Sequence, residues 1–142
     1  MVDSRPKYLD VTPATRRRMQ AVGRKDTPPE MRVRRALHAM GYRYRVNDRK
    51  ILGTPDIVLS RHRKIIFVHG CFWHGHKGCA RAKIPKKNAD VWTEKITSNQ
   101  LRDGRNLSTL QDQGWKVLVV WECETQIEHA LTSKLKNFLG CL

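Results

Sequence analysis

Residues 69–79 read HGCFWHGHKGC, with three histidines, two cysteines, a Phe and a Trp in eleven positions and only Gly and Lys between them. Thiolates and imidazoles at such short spacing suit a closed, tetrahedral, structural zinc site. Cys71-x4-His76-x2-Cys79 offers three ligands from one compact loop, and Cys123, far along the chain, offers a fourth. The spacing departs from the standard zinc-finger patterns, and on spacing alone His74 competes with His76 for the imidazole position. The loop has little apolar surface, so a metal would supply its rigidity. The plainer reading makes Cys123 an ordinary buried thiol and leaves the loop free. Cys141 reads as a small core residue.

A second constellation lies just upstream. Gly53-Thr54-Pro55-Asp56 leads into an apolar strand, and an Asp at a strand end is held rigidly at the rim of a sheet. Phosphodiester cleavage needs a rigid carboxylate of this kind to hold Mg²⁺, which neutralises the scissile phosphate and activates water. With a turn near residues 61–63, Asp56 falls opposite Phe67, Val68 or His69, whichever register holds. A carboxylate, a backbone carbonyl and an imidazole then converge on one rim, with His74 within reach. Pro-Asp by itself is equally a turn proline and a strand cap. Glu30 is a further acid able to order metal-bound waters, although the helix dipole accounts for an exposed first-turn Glu just as well.

The elements that must position these residues follow from the pattern. Residues 1–12 read as a Pro-punctuated, flexible arm, and 13–142 as a single domain. Thr12-Pro13 opens a short basic helix that carries Arg16, Arg17, Arg18 and Met19 and stops at Gly23; Thr27-Pro28 repeats the start signal for a second helix to Gly41. Glu30, Val33, Leu37 and Met40 share helical spacing on it. YRYRV reads as a half-buried strand, DIVLS and KIIFVHG as a hairpin across the turn RHR, and KVLVVWE as a buried central strand. A long helix from Asn88 or Asp90 to about Gln113 has Trp92, Ile96, Leu107 and Leu110 as its apolar spine, and an amphipathic helix spans roughly 125–139. This order predicts an α/β fold with helices against a mixed sheet.

Composition indicates the partner. There are 28 Lys and Arg against 13 Asp and Glu, a formal net charge of +15, which calls for a polyanion, and nucleic acid is the usual one. No apolar run approaches the roughly 20 residues that cross a bilayer, and MVDSRPKYLD has no signal-peptide core. The expectation is a cytoplasmic, nucleoid-associated monomer, in a compartment where cysteines bind metal more often than they form disulfides.

Four segments together are more specific: GTPDIV, IFVHGCFWHGH, WTEKI and GWKVLVVWEC. In this order and separation they resemble the very short patch repair endonucleases, from about Arg16 to Glu124. The resemblance implies a restriction-endonuclease-like mixed β-sheet flanked by helices, with a structural zinc. It also implies Mg²⁺-dependent nicking of double-stranded DNA on the 5′ side of the thymine in a T·G mismatch left by 5-methylcytosine deamination. It implies a functional link to a cytosine-5 methyltransferase and to repair proteins. Position by position, Asp56 and the backbone carbonyl of Val68 would hold Mg²⁺, with two ions expected. His69 and His74 would act at the scissile phosphate, with His74 as general base and Glu30 beside them. Cys71, His76, Cys79 and Cys123 match the zinc ligands. Phe72 and Trp73 would wedge beside the mismatch, and Met19 would enter from the other groove. Some members carry a hydroxyl residue at position 68, and some have one residue where this chain has Lys77-Gly78. Physics supports the wedge, since two adjacent aromatics in a polar loop escape burial by alternation, and a mismatched step is the cheapest to open. Arg16, Arg17, Arg18, Lys95, Arg102 and Arg105 are the expected phosphate contacts. Two rivals share these residues: a restriction-type enzyme cutting both strands of unmodified DNA, and a non-catalytic, zinc-stabilised DNA-binding module.

Overall fold

The computed structural model describes residues 26–140. The expected arm, the basic helix with Arg16, Arg17, Arg18 and Met19, and Cys141 lie outside the described residues. Helix α1 (Pro28–Ala39) starts where the sequence signals it. The Thr27 side chain accepts the Glu30 N–H, and two prolines fill first-turn positions that lack intrahelical acceptors. Its inward stripe is Glu30, Val33 and Leu37, so Glu30 is only 5% exposed and the alternative reading of an exposed first-turn acid falls away.

The sheet runs β1 (Arg45–Val46), β2 (Ile57–Leu59), β3 (Lys64–His69) and β4 (Lys116–Trp121), paired in that order. The β1–β2 and β2–β3 pairs are antiparallel, and β3–β4 is parallel, so the sheet is mixed. The expected hairpin is present, turned by a short 3-10 segment at Ser60–His62 that ends with Arg63 at φ 55°. Two expectations change. YRYRV contributes only a two-residue, exposed strand, and β4 is not central: among the described residues it ends the sheet, with Val120 alone fully buried.

Alternation along the strands sorts the core into two layers. Ile57, Leu59, Ile66 and Val120 pack with Val33 and Leu37 of α1 and with Leu131, Leu135 and Leu139 of α3 (Glu128–Leu139). Val58 and Ile65 pack on the other side with Leu110 of α2 (Ala89–Asp112), together with Phe67 and Val117. The sheet is thus sandwiched between α1/α3 and α2. The period that sends Ile65 and Phe67 toward α2 also sends His69 there, at the strand's end. The α2 stripe is Trp92, Ile96, Asn99, Asp103, Asn106 and Leu110, and the expected spine residue Leu107 is half-buried. Its N-cap is Asn88 in the left-handed region, without a side-chain cap bond. Among the described residues no helix is long and apolar enough to cross a membrane.

Candidate active site and metal centre

At the end of the hairpin ladder, Ile57 pairs with Ile66, so Asp56 stands opposite Phe67 and Pro55 opposite Val68. Proline has no N–H. The Val68 carbonyl therefore finds no ladder donor there, while the Val68 N–H donates to Asp56 Oδ2 at 2.6 Å. The carboxylate replaces a missing backbone acceptor and sits beside a carbonyl that lacks a strand partner. Burial pushes Asp56 up to about 7, and the neighbouring Glu30 adds to the rise, while the Val68 N–H and the Arg34 charge oppose it. Two carboxyls pressed together beside a backbone oxygen form a donor set for a hard, oxygen-seeking dication such as Mg²⁺, which would relieve their repulsion.

Across the same cleft lie the imidazoles. His69 and His74 stack with centroids 3.8 Å apart and rings 6° from parallel. His69 is buried, and burial followed by the charge of His74 brings it down to about 4, so at neutral pH it carries no charge. His74 Nδ1 lies 2.5 Å from Asp103 Oδ2. Burial works to raise Asp103, but the hydrogen bond and charge of His74 outweigh it and hold the carboxyl below its ordinary value. An ionised Asp103 accepts, so Nδ1 carries a proton and Nε2 is the ring nitrogen that Asp103 leaves unengaged. Asp103 was missed in the sequence. Its signal was polar residues, Asn99, Asp103 and Asn106, standing at inward positions of an otherwise apolar stripe.

The loop between these groups is pinned to α2. Asn99 Nδ2 donates to the Trp73 carbonyl at 2.9 Å, and Gln100 Nε2 to those of His74 and Gly75 at 3.3 and 3.2 Å. Gly75 has φ 62°, and a Cβ there would lie 2.4 Å from Gln100 Nε2 and 2.8 Å from Ile96 Cγ2, so the close approach requires glycine. Phe72 and Trp73 are half-buried and make mutual edge contacts with buried Trp92, all three centroid distances being 5.2–5.4 Å. The expectation that both escape burial is corrected to this extent: α2 provides a third ring that covers part of each.

Cys71, His76, Cys79 and Cys123 bring their ligand atoms within 4.8 Å of one another. Tetrahedral zinc with Zn–S near 2.3 Å places its ligand atoms about 3.8 Å apart, so a small inward shift would close the cage. The donor set fits. Burial pushes the Cys71 thiol up to about 12, a cost that a cation would remove, whereas the backbone N–H of Arg81 pulls Cys79 down toward the thiolate. His76 stacks on Trp121 at 4.2 Å. The structure thus groups His76 with the cysteines and His74 with His69 and Asp103.

Glu30, Asp56, Val68, His69, Phe72, Trp73, His74, Lys95, Arg102 and Asp103 all line one cleft of about 2060 Å³. Small-molecule pockets are about 300–1,000 Å³, so this is a groove for a larger ligand. Burial, followed by the charge of Arg102, lowers Lys95 from its ordinary value. Arg105 is exposed on α2 and does not line the cleft.

Comparison with known proteins gives concordant matches. The family described as DNA mismatch endonuclease Vsr matches residues 9–81. The type II nicking enzyme V.XorIIP of Xanthomonas oryzae pv. oryzae is 48% identical over 121 residues, covering 85% of this chain and 88% of the relative. V.NmeAIP, a type II nicking enzyme of Neisseria meningitidis serogroup A, is 51% identical over 121 residues, covering 85% and 86%. The DNA mismatch endonuclease Vsr of Escherichia coli is 42% identical over 132 residues, covering 89% and 84%.

Proposed function

Since this chain belongs to the DNA mismatch endonuclease Vsr family and is a nuclease, we propose that it nicks one strand of duplex DNA on the 5′ side of the thymine in a T·G mismatch, with Mg²⁺ as cofactor. The observation that carries this reading is the convergence of Asp56, Glu30, His69 and His74 in one groove beside the Phe72–Trp73 pair. Single-strand cutting is favoured by the nicking enzymes among its relatives.

Asp56 and the Val68 carbonyl would hold Mg²⁺, with Glu30 facing them; when bound, the cation supplies charge neutralisation at the phosphate and activation of water. His74 Nε2 takes a proton from the attacking water, since Asp103 keeps the other nitrogen protonated and the ring oriented. Neutral His69, stacked on His74, donates a hydrogen bond to a phosphate oxygen. Zn²⁺ on Cys71, His76, Cys79 and Cys123 would hold the loop rigid. Phe72 and Trp73 enter the base stack beside the mismatch, Met19 enters from the other groove, and Arg16, Arg17, Arg18, Lys95, Arg102 and Arg105 neutralise phosphates. The reading includes a restriction-endonuclease-like fold over a single domain 13–142, monomeric action at the nucleoid, and a functional link to a cytosine-5 methyltransferase and repair proteins.

A strand-labelled T·G duplex and its homoduplex, incubated with the zinc-loaded protein and Mg²⁺, test the reading. One nick 5′ of the mismatched thymine is expected. Equal cutting of the homoduplex, or scission of both strands, refutes it in favour of a restriction-type enzyme.

A further inference from the structure

Beside the acid pair, a buried arginine is left with an unmet donor. Arg34, one helical turn after Glu30 on α1, has a side chain only 11% exposed. Its Nη2 donates to Glu30 Oε2 at 3.3 Å and its Nη1 to Asp26 Oδ1 at 2.7 Å, while its Nε is buried and has no partner among the described residues. The Asp26 N–H also donates to Glu30 Oε2, at 3.0 Å. One oxygen of Glu30 is therefore anchored from two sides. The Glu30 carboxyl held in this way neighbours that of Asp56, and both line the same cleft. Tyr44 ties down the turn by donating its hydroxyl to the Arg34 carbonyl at 3.2 Å. A buried guanidinium with an orphan N–H is costly to a fold, and such exceptions cluster where a group is held for a task.

We propose that Arg34 is a positioning residue for the reaction: its fork fixes the Glu30 carboxyl in the cleft beside Asp56, making the two acids one divalent-cation site. This rests on the metal role proposed for Asp56. Two effects of Arg34 oppose each other. Its positive charge repels a dication, whereas its geometry builds the site that receives one. A lysine keeps the charge and loses the planar fork, so Arg34→Lys isolates the geometry; Arg34→Met removes both.

The test is Mn²⁺ binding to the zinc-loaded protein, followed by electron paramagnetic resonance of free Mn²⁺, alongside the Mg²⁺ dependence of T·G nicking. Loss of one charge-assisted hydrogen bond predicts about tenfold weaker Mn²⁺ binding in Arg34→Lys. The Mg²⁺ concentration for half-maximal nicking should rise by a similar factor, with the rate at saturating Mg²⁺ largely retained. In the Glu30→Gln background, Arg34→Lys should add little. Mn²⁺ affinity equal to the parent in Arg34→Lys, additive losses with Glu30→Gln, or tighter binding in Arg34→Met each overturns the assignment. If Arg34→Met fails to fold, Arg34→Lys alone still decides. Parent binding that Asp56→Asn leaves unchanged would instead defeat the metal reading itself, which the Arg34 comparison distinguishes.

Discussion

Replacing Asp56 with Asn should make the protein more stable and inactive at once. The carboxyl titrates at 3.8 when unfolded and at about 7 in the fold. Below about pH 4 both states hold the proton and nothing is lost. Between there and pH 7 the unfolded chain releases its proton while the folded chain keeps it, so stability falls as pH rises. Above pH 7 the loss is complete, roughly 4 kcal/mol at 1.36 kcal/mol per pH unit. Asn does not ionise and escapes this, but it weakens the bond from the Val68 N–H by about 1 kcal/mol. The net gain at pH 8 is roughly 2–3 kcal/mol, a rise of about 5–10 °C in Tm for a chain of this size, falling to nothing or slightly below near pH 4. The assay is thermal melting of parent and variant across pH 4–8, with zinc retained and Mg²⁺ omitted. Adding Mg²⁺ should stabilise the parent alone, and nicking by the variant should fall about a thousandfold or more. Parallel pH–stability curves for the two proteins would refute the reasoning, because the raised carboxyl would then not be Asp56.

Other perturbations separate the roles within the loop. His76→Ala should lower zinc content and melt the loop, whereas His74→Ala should keep zinc, measured by elemental analysis, and lose nicking; the reverse pattern means the two have been exchanged. Asp103→Asn should keep fold and zinc but lower the nicking rate about 10²–10⁴-fold, because the ring loses the partner that fixes its tautomer. Gly75→Ala should cost about 1–3 kcal/mol in urea unfolding, from a positive φ and a Cβ 2.8 Å from Ile96 Cγ2.

Much of the frame was legible because it rests on local signals. Thr27-Pro28 marks a helix start by capping chemistry alone, and the two apolar runs around Ser60–His62 leave little choice but a hairpin. That hairpin put Asp56 opposite Phe67, inside the expected range. Glu30 was harder, since its helix face and burial depend on what packs against α1. Strand order misled: KVLVVW is apolar enough for a buried central strand, yet among the described residues it ends the sheet with Val120 alone fully buried, because residue type does not report which strands lie alongside. Asp103 and Arg34 were harder to see for a related reason. On a helix bearing many charges, no single one announces that it points inward. The interruption of an apolar stripe by Asn99, Asp103 and Asn106 would have shown it.

The attachment of residues 73–75 to one turn of α2 has one further consequence. Asn99, Gln100 and Asp103 grip, within about one helical turn, the backbone carrying Trp73, the carbonyls of His74 and Gly75, and the His74 ring. On the proposed reading, the part that opens the base stack and the part that breaks the strand are rungs of the same ladder. The interval from lesion to cut is then a dimension of the protein, a built-in ruler. It should keep its length whatever bases surround the mismatch.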